Sequence, residues 1–130
     1  MAEASLELLA RRPDVWAFVA EPYHLADWWP GITGVEPDRR GFAAGARWKV
    51  HATRRNVLAG PRVVETLLLV REVEPYERFA FHVLATKLDG EVRIRSSGEG
   101  RTLVTVAMSR GKPEVAVRRL YDLVQTAAEL

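Results

Sequence analysis

The chain has 130 residues, with 19 Lys and Arg against 17 Asp and Glu, a formal net charge of +2, and no cysteine. A chain of that length fits one domain, residues 1–130, that can bury a core without covalent staples. The lack of cysteine excludes disulfides and Cys-based zinc or iron–sulfur centres, and it agrees with a cytoplasmic setting.

The opening Met1-Ala2-Glu3-Ala4 lacks the basic start and apolar core of a signal peptide. Apolar runs such as Leu67-Leu68-Leu69-Val70 fall far short of a membrane span, so no stable membrane insertion is expected. The 16 arginines and three lysines are spread along the chain, with pairs at Arg11-Arg12, Arg39-Arg40, Arg54-Arg55 and Arg118-Arg119. No basic block is interleaved with aromatics, so nucleic acid is not an expected partner.

In chain order, residues 3–10 read as a strand, with Leu6 and Leu8 alternating against Ser5 and Glu7. Arg12-Pro13-Asp14 opens a helix, because proline suits the first helical position and Asp suits the positive end of the dipole. Val15, Phe18 and Val19 supply its apolar face, and Glu21-Pro22 ends it. A second short helix covers about His24 to Trp29 and stops at Pro30-Gly31.

Strand signals follow. The second strand is about Ile32 to Pro37, and the third is Ala46 to Arg55, where Trp48, Val50 and Ala52 alternate with Arg47, Lys49 and His51. Gly60-Pro61 predicts a turn, Val63 to Val73 a fourth strand, and Glu74-Pro75 another turn. Arg78 to Thr86 reads as a fifth strand with Phe79, Phe81 and Val83 on one face. Asp89-Gly90 predicts a type I′ hairpin turn, leading to a sixth strand, Glu91 to Ser96. Gly98-Glu99-Gly100 turns into a seventh strand, Thr102 to Ser109. Lys112-Pro113-Glu114 opens the last helix, whose Val117, Leu120, Tyr121, Val124 and Ala128 follow helical spacing. Arg118, Arg119, Asp122, Gln125 and Glu129 fall on its other face. Its length is roughly 27 Å at about 1.5 Å per residue, enough to cross a small sheet.

The order strand, two helices, six strands, helix predicts an α+β fold: a curved antiparallel sheet of about seven strands around the C-terminal helix. The two short helices plug one end. Between a curled sheet and a helix lying across it is the natural place for a ligand. The edge strands of such a sheet leave room for a homodimer.

Several segments resemble one superfamily, in the same order. Val15-Trp16-Ala17-Phe18-Val19-Ala20, Glu21-Pro22-Tyr23-His24-Leu25 and Asp27-Trp28-Trp29-Pro30-Gly31 look like the opening of the SRPBCC superfamily, which includes START and Bet v 1-like domains and the polyketide cyclase/dehydrase family. Val73-Glu74-Pro75-Tyr76-Glu77-Arg78-Phe79 resembles its strand–Pro–strand connection, and Gly100-Arg101-Thr102-Leu103-Val104-Thr105-Val106 its penultimate hairpin exit. The resemblance implies the helix-grip fold. The superfamily's roles range from lipid carriers and hormone receptors to aromatase/cyclases and coenzyme Q-binding proteins. The lead-in to the last helix, Arg110-Gly111-Lys112, is shorter than in larger members, which implies a small or nearly filled pocket.

The residues expected to line a pocket are Trp48, Phe79, Phe81, Met108 and Tyr121, with Trp28, Glu65 and His82 as further candidates. Core and cavity wall use the same residue types, so the aromatics serve either. Trp28 and Trp29 read as packing residues that dock the short helix, and the resemblance implies the same. Tyr121 brings a phenol that needs a hydrogen-bond partner if buried.

His51 shares its strand face with Arg47 and Lys49. His82 shares its face with Ala80 and Leu84, opposite Phe79 and Phe81. Neither has metal-ligand spacing, and no metal or cofactor is expected. Glu65 and Arg54 interrupt half-apolar strands. They read as outward-pointing, and would orient a polar ligand head if inward. Nothing supports a nucleophile: there is no Gly-x-Ser-x-Gly motif and no Cys.

Three functions fit these features. The first is binding of a small hydrophobic or aromatic molecule by a carrier or sensor. The second is a cyclase or dehydratase that shapes a polyketide-like substrate, with His82, Glu65, Arg54 or Tyr121 moving a proton. The third is a protein-interaction module with a closed cavity, which an exposed apolar patch would favour.

Overall fold

The computed structural model describes residues 1–56 and 58–129. Seven strands form one antiparallel sheet: β1 (Ala2–Leu8), β2 (Ile32–Glu36), β3 (Arg47–Asn56), β4 (Gly60–Glu74), β5 (Arg78–Val83), β6 (Leu88–Gly98) and β7 (Arg101–Met108). Their spatial order is β1-β7-β6-β5-β4-β3-β2. From β2 to β7 the chain meanders between neighbours, while β1 closes on β7, pairing Leu6 with Val104. Helix α1 (Arg12–Val19), a 3-10 turn (Pro22–His24) and α2 (Leu25–Trp28) bridge β1 and β2, and α3 (Pro113–Glu129) lies over β1 and β7 and touches α2. This is the α+β helix-grip arrangement, a curved sheet holding a C-terminal helix.

Period-two alternation decides the faces. Trp48, Val50 and Ala52 on β3, Phe79, Phe81 and Val83 on β5, and Val104, Val106 and Met108 on β7 are all buried on the helix side. The α3 face that meets them is Ala116, Val117, Leu120 and Val124. Pro113 sits at the helix start, where its missing N–H costs nothing.

Two turns fall elsewhere than the sequence predicts. Asp89 and Gly90 do not make the β5–β6 turn; they lie inside β6, opposite His82 and Phe81. The chain reverses at 84–87, where Lys87 takes the positive φ of 51°. Gly90 is required for space rather than for a turn: a Cβ there would stand 2.5 Å from Phe81 Cζ and 2.8 Å from the Trp29 ring. Likewise, Gly60 and Pro61 already belong to β4, paired with Asn56 and Arg55. Gly60 still works as a glycine, with φ of 75°, but at the strand's first residue.

On α1 the buried positions are Val15, Trp16 and Val19. Phe18 is only half-buried and stacks on His24, ring centroids 4.0 Å apart. Trp16 therefore takes the core position that the apolar spacing assigns to Phe18.

Candidate functional site

Inside the grip, six aromatic rings form a continuous chain. Trp16 meets Phe42 edge-on at 5.7 Å, Phe42 meets Phe79 at 4.5 Å, and Phe79 stacks on Phe81 at 5.1 Å. Phe81 meets Trp29 at 4.8 Å, and Trp29 meets Trp28 at 5.5 Å. Trp48 branches from this chain, against Phe42 and Phe79. Such offset and edge contacts suit the ring quadrupoles and add to the area each ring buries. Trp48 also donates from Nε1 to the Gly41 carbonyl oxygen at 2.7 Å, which anchors the 37–46 loop and turns Phe42 inward.

Of the expected lining residues, Trp28, Trp48, Phe79, Phe81 and Met108 come together here, all fully buried. The rings pack directly against one another, with neighbouring centroids 4.5–5.9 Å apart. Tyr121 is half-buried on the flank of α3, with the Arg118 guanidinium 5.6 Å from its ring centre. Trp16, Trp29 and Phe42 complete the interior. Phe42 was legible only as an apolar residue in a loop, whereas Trp16 adjoins Val15 on one helical face and could have been found from that spacing.

Glu65 and His82 do not reach this interior. Both are on the outer face of the sheet, since each alternates with inward neighbours. Glu65 Oε1 lies 3.9 Å from His51 Nε2, across the β3–β4 pair. His82 Nδ1 bonds Asp89 Oδ1 at 2.8 Å. Arg54 is exposed near the end of β3. The sequence reading of Glu65 as outward agrees with its position, whereas Arg54 shares the strand face of Ala52 and is exposed because it lies beyond the buried part of β3.

Three polar groups inside matter. Thr102 is the buried polar residue among the described ones, and its hydroxyl donates to the Ala10 carbonyl oxygen at 2.7 Å. Trp28 Nε1 and Gln125 Oε1, in contrast, are buried atoms with no hydrogen-bond partner among the described residues. They are carried by α2 and α3, which pack together. Gln125 falls one turn beyond Tyr121 on the same flank, although the helical pattern assigns it to the polar face. An unbonded buried donor or acceptor costs about 1–3 kcal/mol.

The outer face is a lattice of charge. Arg78 pairs with Glu72, Glu74 and Glu91, and Arg93 pairs with Glu3 and Glu91. The hydrogen bond it donates to Glu91, with Glu72 and Glu74 nearby, holds the Arg78 guanidinium protonated even more firmly than usual, and burial opposes this. A groove of about 500 Å³ runs over this face between Glu3, Glu74, Glu77, Arg78, Arg93 and Arg95. It lies on the opposite side of the sheet from the aromatic interior, and its Arg78 and Arg93 are already paired, so the interior remains the better candidate site.

At the foot of β3, Asp38 accepts backbone N–H bonds from Arg47, Arg40 and Gly41. The bond from Arg47 leads in holding its carboxyl below the ordinary value. Among the described residues no three His, Asp or Glu side chains group as a metal site. No described helix is long and apolar enough to cross a membrane.

The fold has many solved counterparts. XoxI from Bacillus cereus superposes with a TM-score of 0.67 at 11% identity, over 98% of this chain and 96% of that one. Norcoclaurine synthase from Thalictrum flavum gives 0.67 at 15% identity, over 98% and 94%. The di-domain ARO/CYC StfQ of the steffimycin biosynthetic pathway gives 0.68 at 20% identity, over 99% of this chain and 44% of that one. No curated protein gives a significant sequence match. The family model for polyketide cyclase/dehydrase and lipid transport proteins matches residues 3–128. With the sheet, the gripped helix and the ring-lined interior on the same residues, the chain belongs to that family, within the SRPBCC superfamily.

Proposed function

We propose that this protein binds a compact, largely apolar or aromatic molecule with one polar group, between the sheet, α2 and α3, as a carrier or sensor. The observation that carries this reading is the unbonded pair: Trp28 Nε1 as donor and Gln125 Oε1 as acceptor, enclosed by an otherwise apolar interior. A ligand hydroxyl or carbonyl would satisfy either, and its apolar body would lie along the aromatic chain. Entry requires the rings to part, which fits a small ligand better than a long lipid.

The ring-filled interior also favours a second reading, an interaction module whose cavity is closed. The cyclase alternative needs an inward group to move a proton. Glu65, His82 and Arg54 lie outside the interior, and Tyr121 is the remaining candidate.

Native mass spectrometry of protein purified from cells, with titration of an apolar fluorescent probe, tests the binding reading. The expected result is a co-purified molecule or probe uptake, weakened about five- to tenfold by Trp28→Phe, which keeps the ring bulk and removes the donor. A clean apo mass with no probe uptake overturns binding in favour of the interaction module. Uptake unchanged in Trp28→Phe and in Gln125→Leu keeps binding but removes these two atoms from the site.

A further inference from the structure

The β3–β4 hairpin outgrows the sheet. Thr53 N–H still bonds the Gly31 carbonyl oxygen, and Thr66 Oγ1 still accepts from Ala85 N–H. Beyond Thr53 the ribbon of 54–56 against 60–62 has, among the described residues, only itself as backbone partner. Three residues at ~3.3 Å each carry it about 10 Å past its neighbours before the loop begins.

This ribbon is built unlike the rest of the sheet. From Ala52 to Val64 the sequence holds Arg54, Arg55 and Arg62, no Asp or Glu, and no aromatic. Arg54 stands directly opposite Arg62, and both are exposed. Like charges facing across a strand pair destabilise it. None of the three has a carboxylate within ion-pair distance among the described residues, whereas Arg78, Arg93 and Arg101 on the outer face do. Leu58, at the tip, is 96% exposed, and Val63 beside it is 60% exposed.

Because the sheet is antiparallel, the same end carries the 84–87 turn and the 109–112 connection. These add exposed Leu84, Lys87, Arg110 and Lys112. The acids toward this end include Asp89, held by His82 and Arg71, Glu65, facing His51, Glu114 at the start of α3, and exposed Asp27 on α2.

We propose that this end of the molecule docks on the surface of an anionic phospholipid bilayer. The hairpin inserts Leu58 at the headgroup level, and Arg54, Arg55 and Arg62 meet lipid phosphates. The charge asks for an anionic partner. The exposed leucine in the loop at the end of the hairpin asks for an apolar layer beneath it, which a bilayer supplies. A nucleic acid would supply phosphate but would leave Leu58 in water, and the ribbon has no ring on which a base could stack. The docking is peripheral and spans nothing. It stands independently of which ligand, if any, the interior holds.

The test is flotation of the full chain with vesicles of phosphatidylcholine alone or mixed with phosphatidylglycerol, at low and high salt. The expected result is binding to the mixed vesicles only, weakened by salt. The triple variant R54Q/R55Q/R62Q should lower partitioning roughly hundredfold, at about 1 kcal/mol per basic side chain. Leu58→Gln should lower it about tenfold or more. R39Q/R40Q, which changes charge in the 37–46 loop at the opposite end, should bind as the parent does. Circular dichroism and melting temperature establish that each variant is folded.

Equal binding to neutral vesicles, or none to either, overturns the proposal. So does loss of binding in R39Q/R40Q equal to that in the triple variant, since net charge alone would then be responsible. Capture of an oligonucleotide by protein that ignores both vesicles overturns it in favour of nucleic acid.

Discussion

The body of the sheet and its overhanging hairpin are made of the same strand pairing but solve opposite problems. In the body, one face is a filled aromatic layer and the other a lattice in which Arg78 answers Glu72, Glu74 and Glu91. In the overhang there is no buried face, Arg54 confronts Arg62, and Leu58 stands in solvent. The body is arranged for stability. The overhang carries features that folding alone does not reward, and that difference separates a structural region from a candidate contact region.

Substitutions sharpen the contrast. The largest effect is expected at Gly90. A methyl there meets Phe81 and Trp29 at distances no Cβ normally shows, so Gly90→Ala should cost roughly 1–3 kcal/mol, read by urea unfolding. If Gly90→Ala left stability unchanged, the rings would have room to shift and the interior would be less tightly filled than described.

Next is Arg78→Gln in the lattice. It takes the cation from Glu72 and Glu74 and leaves Glu91 with Arg93. Because these groups are partly exposed, the loss should be about 1 kcal/mol and should shrink as salt is added. The smallest effect is expected in the overhang, where Arg54→Thr should change stability by no more than a few tenths of a kcal/mol, in the stabilising direction. Thermal melts of the two arginine variants side by side measure the comparison directly. Equal losses at positions 78 and 54 would mean that the hairpin arginines are structural after all.

Much of the fold was legible because its signals are local. Alternation in β3, β5 and β7 sorted the buried residues correctly, and proline at position 113 marked the start of α3. The misreadings came where one residue type serves two purposes. Asp89-Gly90 has hairpin chemistry, yet its glycine is demanded by two rings arriving from elsewhere in the chain. The reversal went instead to Lys87, which no turn pattern advertises. For the site, sequence brought Trp48, Phe79, Phe81, Met108 and Trp28 to one interior, while Gln125 looked like a surface residue because its helical angle is polar. Its oxygen is nonetheless buried, which the tertiary packing decides.

The sequence by itself determined the order and approximate place of the strands and helices, which face of most strands is apolar, and the family to which the chain belongs. Periodicity and proline chemistry act over a few residues, and a family pattern is read from order along the chain. The tertiary structure alone decided that the rings pack on one another inside the grip, that Trp28 Nε1 and Gln125 Oε1 are enclosed with no partner among the described residues, and that Arg54 and Arg62 face each other on a ribbon beyond the sheet. Each of these depends on register and packing between segments far apart in sequence, where contact geometry rather than residue type sets the outcome.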